Sequence, residues 1–241
     1  MARERCPRAT VLAAAVVLAL LTACSRGPGR AAVAPSPYPT DDASLLRPLP
    51  SPLPDVIARV NGEPIRVEQV LPMAKKDLDE RPAEEIAKRK PLALRRALLK
   101  YVDRELLVQE ALARGVTADT RRVDWAYDQL RREHPDDAEW AAFLLKQGLD
   151  PQRFRTELRV QQTVAALVDD ELDKTPVTDA EARTAYDRNP TLFSPVGPNG
   201  PAPFESVKDA VVAAVRETRR PATIEALLAR LHATGRIEIF I

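Results

Sequence analysis

The run Leu92–Val116, LALRRALLKYVDRELLVQEALARGV, is the longest unbroken stretch of strong helix formers in the chain, and it dictates a mainly α fold. Leu94, Leu98, Tyr101, Val102, Leu112 and Ala113 recur at steps of three and four on one side, while Leu99 and Leu106 widen that side beyond a single stripe. A helix that is apolar around so much of its circumference needs neighbours on more than one flank. Pro91 suits its first turn and Gly115 the left-handed position after its end. Glu105 and Gln109 fall inside the apolar arc, where hydrogen bonding or snorkelling is the expected role.

The only β-rich runs flank the helical region. Val56–Val60 reads as a strand followed by Asn61-Gly62, a turn signal because both residues tolerate positive φ. A hairpin this small cannot stand alone. Its expected partner is Arg236–Ile241 at the other end, so the fold class is mainly α, closed by a small antiparallel sheet that pairs the N-terminal hairpin with the C-terminal strand.

Between these ends the pattern is helical. Val67 to about Leu78 forms one helix disturbed by Pro72, and Asp79–Arg89 reads as a charged loop with a helical turn. After the central helix, Thr117 caps Ala118–Glu133, whose buried stripe is Val123, Ala126, Tyr127 and Leu130. Asp136 or Asp137 starts a short helix with Trp140, Phe143, Leu144 and Gln147 on one face, ended by Gly148. Asp150-Pro151 opens a helix to about Leu172, and Thr178–Glu181 is a capping box for one ending near Asn189-Pro190. The last helix spans Phe204–His232. On it Val207, Val211, Ala214, Val215 and Thr218 share a face, and Pro221 is expected to kink it.

The N-terminus reads as an address. Arg3, Arg5 and Arg8 precede the apolar run Val11–Leu21, which suits a secretory signal. Leu21-Thr22-Ala23-Cys24 then resembles the bacterial lipobox, in which the cysteine is lipidated and cleavage occurs in front of it. The expected organisation is a signal peptide over 1–23, lipidated Cys24 with a Pro-rich linker over 24–54, and a helical domain over 55–241. Ser25 after the cysteine favours the outer membrane, by resemblance to lipoproteins of Gram-negative bacteria. The linker carries eight prolines, and at about 3.1 Å per residue in polyproline form it reaches up to roughly 90 Å.

Charge and reactive groups narrow the function classes. Lys+Arg of 36 against Asp+Glu of 35 gives a net +1 with interleaved signs, so no nucleic-acid stripe is present in the sequence. Loss of Cys6 with the signal leaves Cys24 alone, which leaves no disulfide within a monomer and no cysteine nucleophile or cysteine-based metal site. His134 and His232 stand beside no Ser, Cys or Asp arrangement and read as solvated. Asp136-Asp137 and Asp169-Asp170-Glu171 are adjacent on helical stretches and do not face one another, so they read as a cap and a solvated face. No catalytic, metal or cofactor site is expected.

Val-Asn-Gly-Glu-Pro-Ile (Val60–Ile65), the Leu98–Val116 pattern and the Phe154–Gln162 helix, in that order, resemble the N-terminal domain of SurA-type periplasmic chaperones and the related PrsA-like foldases. Pro203–Val212 through Ile237–Ile239 is similar to the segment that completes the chaperone module in that family. The resemblance implies a helical chaperone domain that binds unfolded exported or outer-membrane polypeptides. In foldases of this type a parvulin isomerase domain sits where this chain has only residues 191–203, so the resemblance implies a holdase without isomerase activity. A dedicated assembly or structural lipoprotein binding one envelope or secretion component is the alternative, and an isomerase is a third.

One aromatic breaks the pattern. Trp125 falls about 160° around its helix from Val123, among Arg122, Gln129 and Arg132. It packs against another helix, lines a client crevice with Trp140, Phe143 and Leu144, or is simply exposed. Replacing Cys24 with Ser should move the protein from the membrane to the soluble fraction and abolish labelling by a fatty-acid analogue. Unchanged fractionation and labelling would refute lipidation there.

Overall fold

The computed structural model describes residues 42–78, 82–193 and 200–241. Cys24, the expected signal peptide and the first part of the linker lie outside the described residues.

The two ends of the helical region do meet. Strand β1 (Val56–Val60) turns through Asn61 and Gly62, at φ of 54° and 94°, into β2 (Glu63–Arg66). Both φ values lie in the left-handed region, which explains the choice of Asn-Gly for this turn. On the other edge of β1 lies β3 (Ile237–Ile239), antiparallel, with Val60 opposite Ile237 and Ala58 opposite Ile239. Asn61 is the junction. Its backbone N–H donates to the Arg236 carbonyl (2.7 Å), its Oδ1 accepts from the Arg236 N–H (2.8 Å), and its Nδ2 donates to Gln109 Oε1 (2.8 Å). Gln109 in turn donates to the Val60 carbonyl (3.2 Å) and to Glu105 (2.9 Å). The two polar residues inside the apolar arc therefore tie the central helix to the sheet, the hydrogen-bonding role expected of them.

Helix α2 (Val67–Lys76) follows β2 directly, and α3 (Ala83–Ala113) is the central helix. It starts well before the expected Leu92, with Pro91 in its interior and not at its first turn. Glu84 and Glu85 in the first turn complement the positive end of the helix dipole, which favours helix where a charged loop was expected. Leu94, Leu98, Val102 and Leu106 are buried, and Leu107 and Ala111 continue the arc. Leu112 is 61% exposed, because the buried side has rotated to Ala111, about 100° away. Helices α2, α6 (Pro151–Asp173) and α8 (Phe204–Thr234), strand β1 and α1 (Asp42–Leu45) all contact α3.

Three apolar clusters form. The largest joins the sheet, α2 and α3 to Leu167 of α6 and to Leu227 and Leu231 of α8. The second joins α4 (Thr120–Glu133), α5 (Asp137–Gln147) and the first turns of α6 around Val123, Trp140, Leu144, Phe154 and Leu158. The third joins α7 (Asp179–Arg188) to the start of α8 through Ala182, Phe204 and Val211. At about 1.5 Å per residue, α6 and α8 extend roughly 35 and 46 Å and so link the outer clusters to the first. Pro221 lies within α8, which continues through it as one helix. The caps are local. Asp119, not Thr117, accepts at the start of α4, Asp136 and Asp150 do so for α5 and α6, and Thr178 with Glu181 forms the capping box of α7.

Where α8 passes into β3 the chain comes very close to the core. A Cβ on Gly235 would lie 2.8 Å from the Leu231 carbonyl and 3.1 Å from Leu106 Cδ2, so this crossing requires glycine. Residues on the linker side of Asp55 are also held against the domain. Leu45 is buried, Leu49 and Leu53 pack on the main core, and the buried Arg95 of α3 donates to the carbonyls of Leu45 (3.0 Å), Arg47 and Pro48 (3.3 Å). Burial, with Arg47 nearby, pushes the Arg95 guanidinium below its usual range.

Deleting Ile237–Ile241 should remove about 3–5 kcal/mol of apolar burial and lower the melting temperature by roughly 6–20 °C. A truncated chain with an unaltered melting curve would contradict the sheet.

Candidate functional site

The structure brings together three of the four residues expected at a peptide crevice. Trp140, Phe143 and Leu144 lie on one face of α5 because Asp136 and Gly148 fix the two ends of that helix. Trp140 is buried, edge-on to Tyr127 (5.4 Å between ring centroids) and to Phe154 (5.5 Å), and it stacks on Phe143 (5.4 Å). Leu144 is buried beside them, and Phe143 is half-buried. Trp125 is apart, 66% exposed and outside this cluster. The aromatic group is thus the interior of the second cluster, and the indole that broke the sequence pattern is on the outer face of α4.

The histidines are not solvated loops. His134 stacks on Phe143 at 4.5 Å, and His232 Nε2 lies 2.7 Å from Asp103 Oδ1, joining α8 to α3. Nor is Asp169-Asp170-Glu171 a bare solvated face. Glu171 accepts from Lys174 (2.5 Å), Arg114 (2.7 Å) and Arg230 (3.2 Å), while Asp169 accepts from Arg220 (2.7 Å). These carboxylates draw α3 and α8 onto α6. Sequence reasoning missed this because the partners lie more than forty positions away in every case but Lys174. Among the described residues, no group of three or more His, Cys, Asp or Glu is placed to hold a metal ion.

An open, largely apolar groove of about 940 Å³ lies between α7 and α8. Its lining includes Ala185, Leu192, Phe193, Ala210, Ala214 and Val215, with Glu181 and Arg188 among its polar residues. The sequence puts Val207, Val211, Ala214, Val215 and Thr218 on one face of α8. Of these, Val211 is buried, Val207, Ala214 and Val215 are half-buried, and Thr218 is exposed. The reason is length. Helix α7 has 10 residues against the 31 of α8, so it covers only part of the apolar face. Small alanine side chains on both walls let another chain approach the backbone closely. Tyr186 holds the end of this region, donating to the Ala202 carbonyl (2.6 Å) and lying against Phe193 and Phe204. The groove therefore borders Leu192 and Phe193, near the start of the 191–203 stretch.

A second groove, about 740 Å³, runs beside it, with Glu171, Lys174, Glu181, Arg219 and Arg230 set among apolar residues such as Pro176, Ala222, Ala226 and Leu227.

No family model and no curated protein matches the chain. A solved structure does. It comes from the pair PEB4, a virulence factor, and Cj1289, a periplasmic protein, two structurally related SurA-like chaperones of the human pathogen Campylobacter jejuni. The match has 13% identity and a TM-score of 0.45, covering 78% of this chain and 99% of that one. Among the described residues no helix is long and apolar enough to cross a membrane.

The bonds from Lys174, Arg114 and Arg230 hold Glu171 at about 2, below its ordinary 4.5. A depressed carboxylate contributes stability above its unfolded value and loses it as pH falls through the folded one. With Lys174 and Arg230 about half exposed, the contribution is about 1–3 kcal/mol. Stability should fall between pH 4.5 and about 2, and Glu171→Gln should remove that part of the acid dependence. Identical acid melting profiles for the two proteins would refute it.

Proposed function

We propose that the protein is a lipid-anchored chaperone of the cell envelope that holds unfolded exported or outer-membrane polypeptides without isomerising their prolyl bonds. The observation that carries this reading is the open α7–α8 groove, whose apolar walls are left uncovered by the short partner helix. An extended or amphipathic segment fits such a surface through apolar burial, with little demand on its sequence. The ordered motifs shared with SurA-type chaperones support the same reading. So does the position of the groove, at Leu192 and Phe193, where the 13 residues begin that replace the parvulin domain of those foldases. The anchor at Cys24 would keep this activity at the membrane, with Ser25 as the residue that sorts it to an outer membrane facing the periplasm, and the clients would be the polypeptides that pass it.

The test is suppression of aggregation of an unfolded model client by the full chain in detergent, alongside a prolyl isomerisation assay. Ala214→Glu places an unpaired carboxylate in the groove and should weaken client binding by about tenfold or more at an unchanged melting temperature. Trp125→Ala should leave it intact. Loss of binding with Trp125→Ala and not with Ala214→Glu would move the site to α4. No suppression by the parent protein would remove the chaperone reading, and isomerisation above the uncatalysed rate would remove the holdase restriction.

A further inference from the structure

The segment Leu45–Leu53 sits on α3 in the manner of a bound peptide. Arg95 is only 6% exposed, and its hydrogen bonds go to three main-chain carbonyls, those of Leu45, Arg47 and Pro48. No carboxylate accounts for its charge in these bonds. A buried guanidinium is normally matched by an acid. Here its fork of donors is spent on backbone oxygens, which every polypeptide offers whatever its side chains.

The rest of the segment is complementary to such a surface. Leu45, Leu49 and Leu53, spaced by four, supply the apolar contacts, Leu45 being 7% exposed and the other two packed against the main core. Pro48, Pro50 and Pro52 alternate through it, and Pro54 follows. Proline has a carbonyl and no N–H. The Arg95 end of the surface offers donors and apolar area, so an acceptor-rich segment leaves few backbone donors stranded there. Proline also restricts the free segment to extended conformations, which reduces the entropy lost on binding.

We propose that the face of α3 around Arg95 is a binding site for proline-rich, leucine-bearing polypeptide, occupied in cis by Leu45–Leu53 and open to a client segment of the same chemistry when that strap detaches. This inference rests on the chaperone reading for the identity of the occupant, but it concerns a surface separate from the α7–α8 groove. A tethered occupant acts at an effective concentration in the millimolar range, so it masks the site from all but concentrated or tighter competitors. The linker between anchor and domain then has a second role as a built-in competitor.

The probe is a fluorescent peptide with the sequence of residues 42–54. The full chain carrying Leu45→Ser and Leu49→Ser, which weakens the strap and leaves Arg95 in place, should bind this peptide at least about tenfold more tightly than the parent. Adding Arg95→Met should abolish the gain. Peptide binding that is unchanged in the strap variant, or that survives Arg95→Met, would overturn the proposal and leave the strap as packing alone. If the strap variant does not fold, the parent serves at millimolar peptide, which matches the effective concentration of the strap. A photoreactive leucine at the Leu45 position of the peptide should crosslink to Ala83–Ala113, and crosslinks confined to other segments would overturn the proposal. Ala214→Glu separates the two readings, since it should impair client holding while leaving this peptide's binding unaltered.

Discussion

Burial of the central helix on several flanks is the constraint on which the architecture depends. Leu94, Leu98, Val102 and Leu106 each lie at 2% exposure or less, and each contributes about 1.5–3 kcal/mol by leaving water. No single neighbour can cover that arc. The structure meets the demand with α2 and the sheet from one end of the chain, α6 from its middle and α8 from the other end. Gln109 and Asn61 then fix how these parts meet, since both side-chain amides have defined partners at the junction. Such a junction specifies one arrangement, because a shifted strand would leave the Gln109 amide and the Asn61 side chain without their acceptors and donors.

The outer clusters stand in a different relation to that core. Each is built on one end of a long helix whose other end is anchored in the main cluster, α6 for the aromatic group and α8 for the α7 groove. The groove walls can therefore change in side-chain size or charge without disturbing Leu227 and Leu231 further along α8. The carboxylates of α6 stand between these regions, and Glu171 alone receives bonds from α3, α8 and its own helix. They orient the long helices against one another where apolar contacts alone would permit sliding.

What was legible in the sequence was local chemistry and its periodicity. Asp136, Asp150 and the Thr178–Glu181 box announced helix starts because a cap acts within three residues. The strand pairing was legible because each β-rich run was the other's only candidate. The start of α3 was missed, since Pro91 looked like a boundary and the acidic turn at Glu84 and Glu85 outweighed it. The Arg95 strap, the ion pairs of Glu171 and the uncovered face of α8 were illegible for a shared reason: each depends on which element lies opposite, and periodicity marks an apolar face without telling how much of it a neighbour covers. Trp125 shows the converse. The pattern correctly set it off the buried stripe, yet the crevice expected to join it to Trp140 runs through the interior of a cluster it does not enter.

The sheet also sets the timing of folding. The junction between Asn61 and Arg236 closes across 175 positions, and β1 has only one hydrogen-bonded edge until β3 arrives. A chain emerging from its N-terminus could form α3 and the aromatic cluster early, from near neighbours, yet Val60, Leu106 and the underside of the hairpin would wait for the final helix and strand. Contacts of such long range form late because the intervening chain must first be ordered. The central helix thus gains its last cover only when α8 and β3 dock, so its burial is tied to the most distant contacts in the fold.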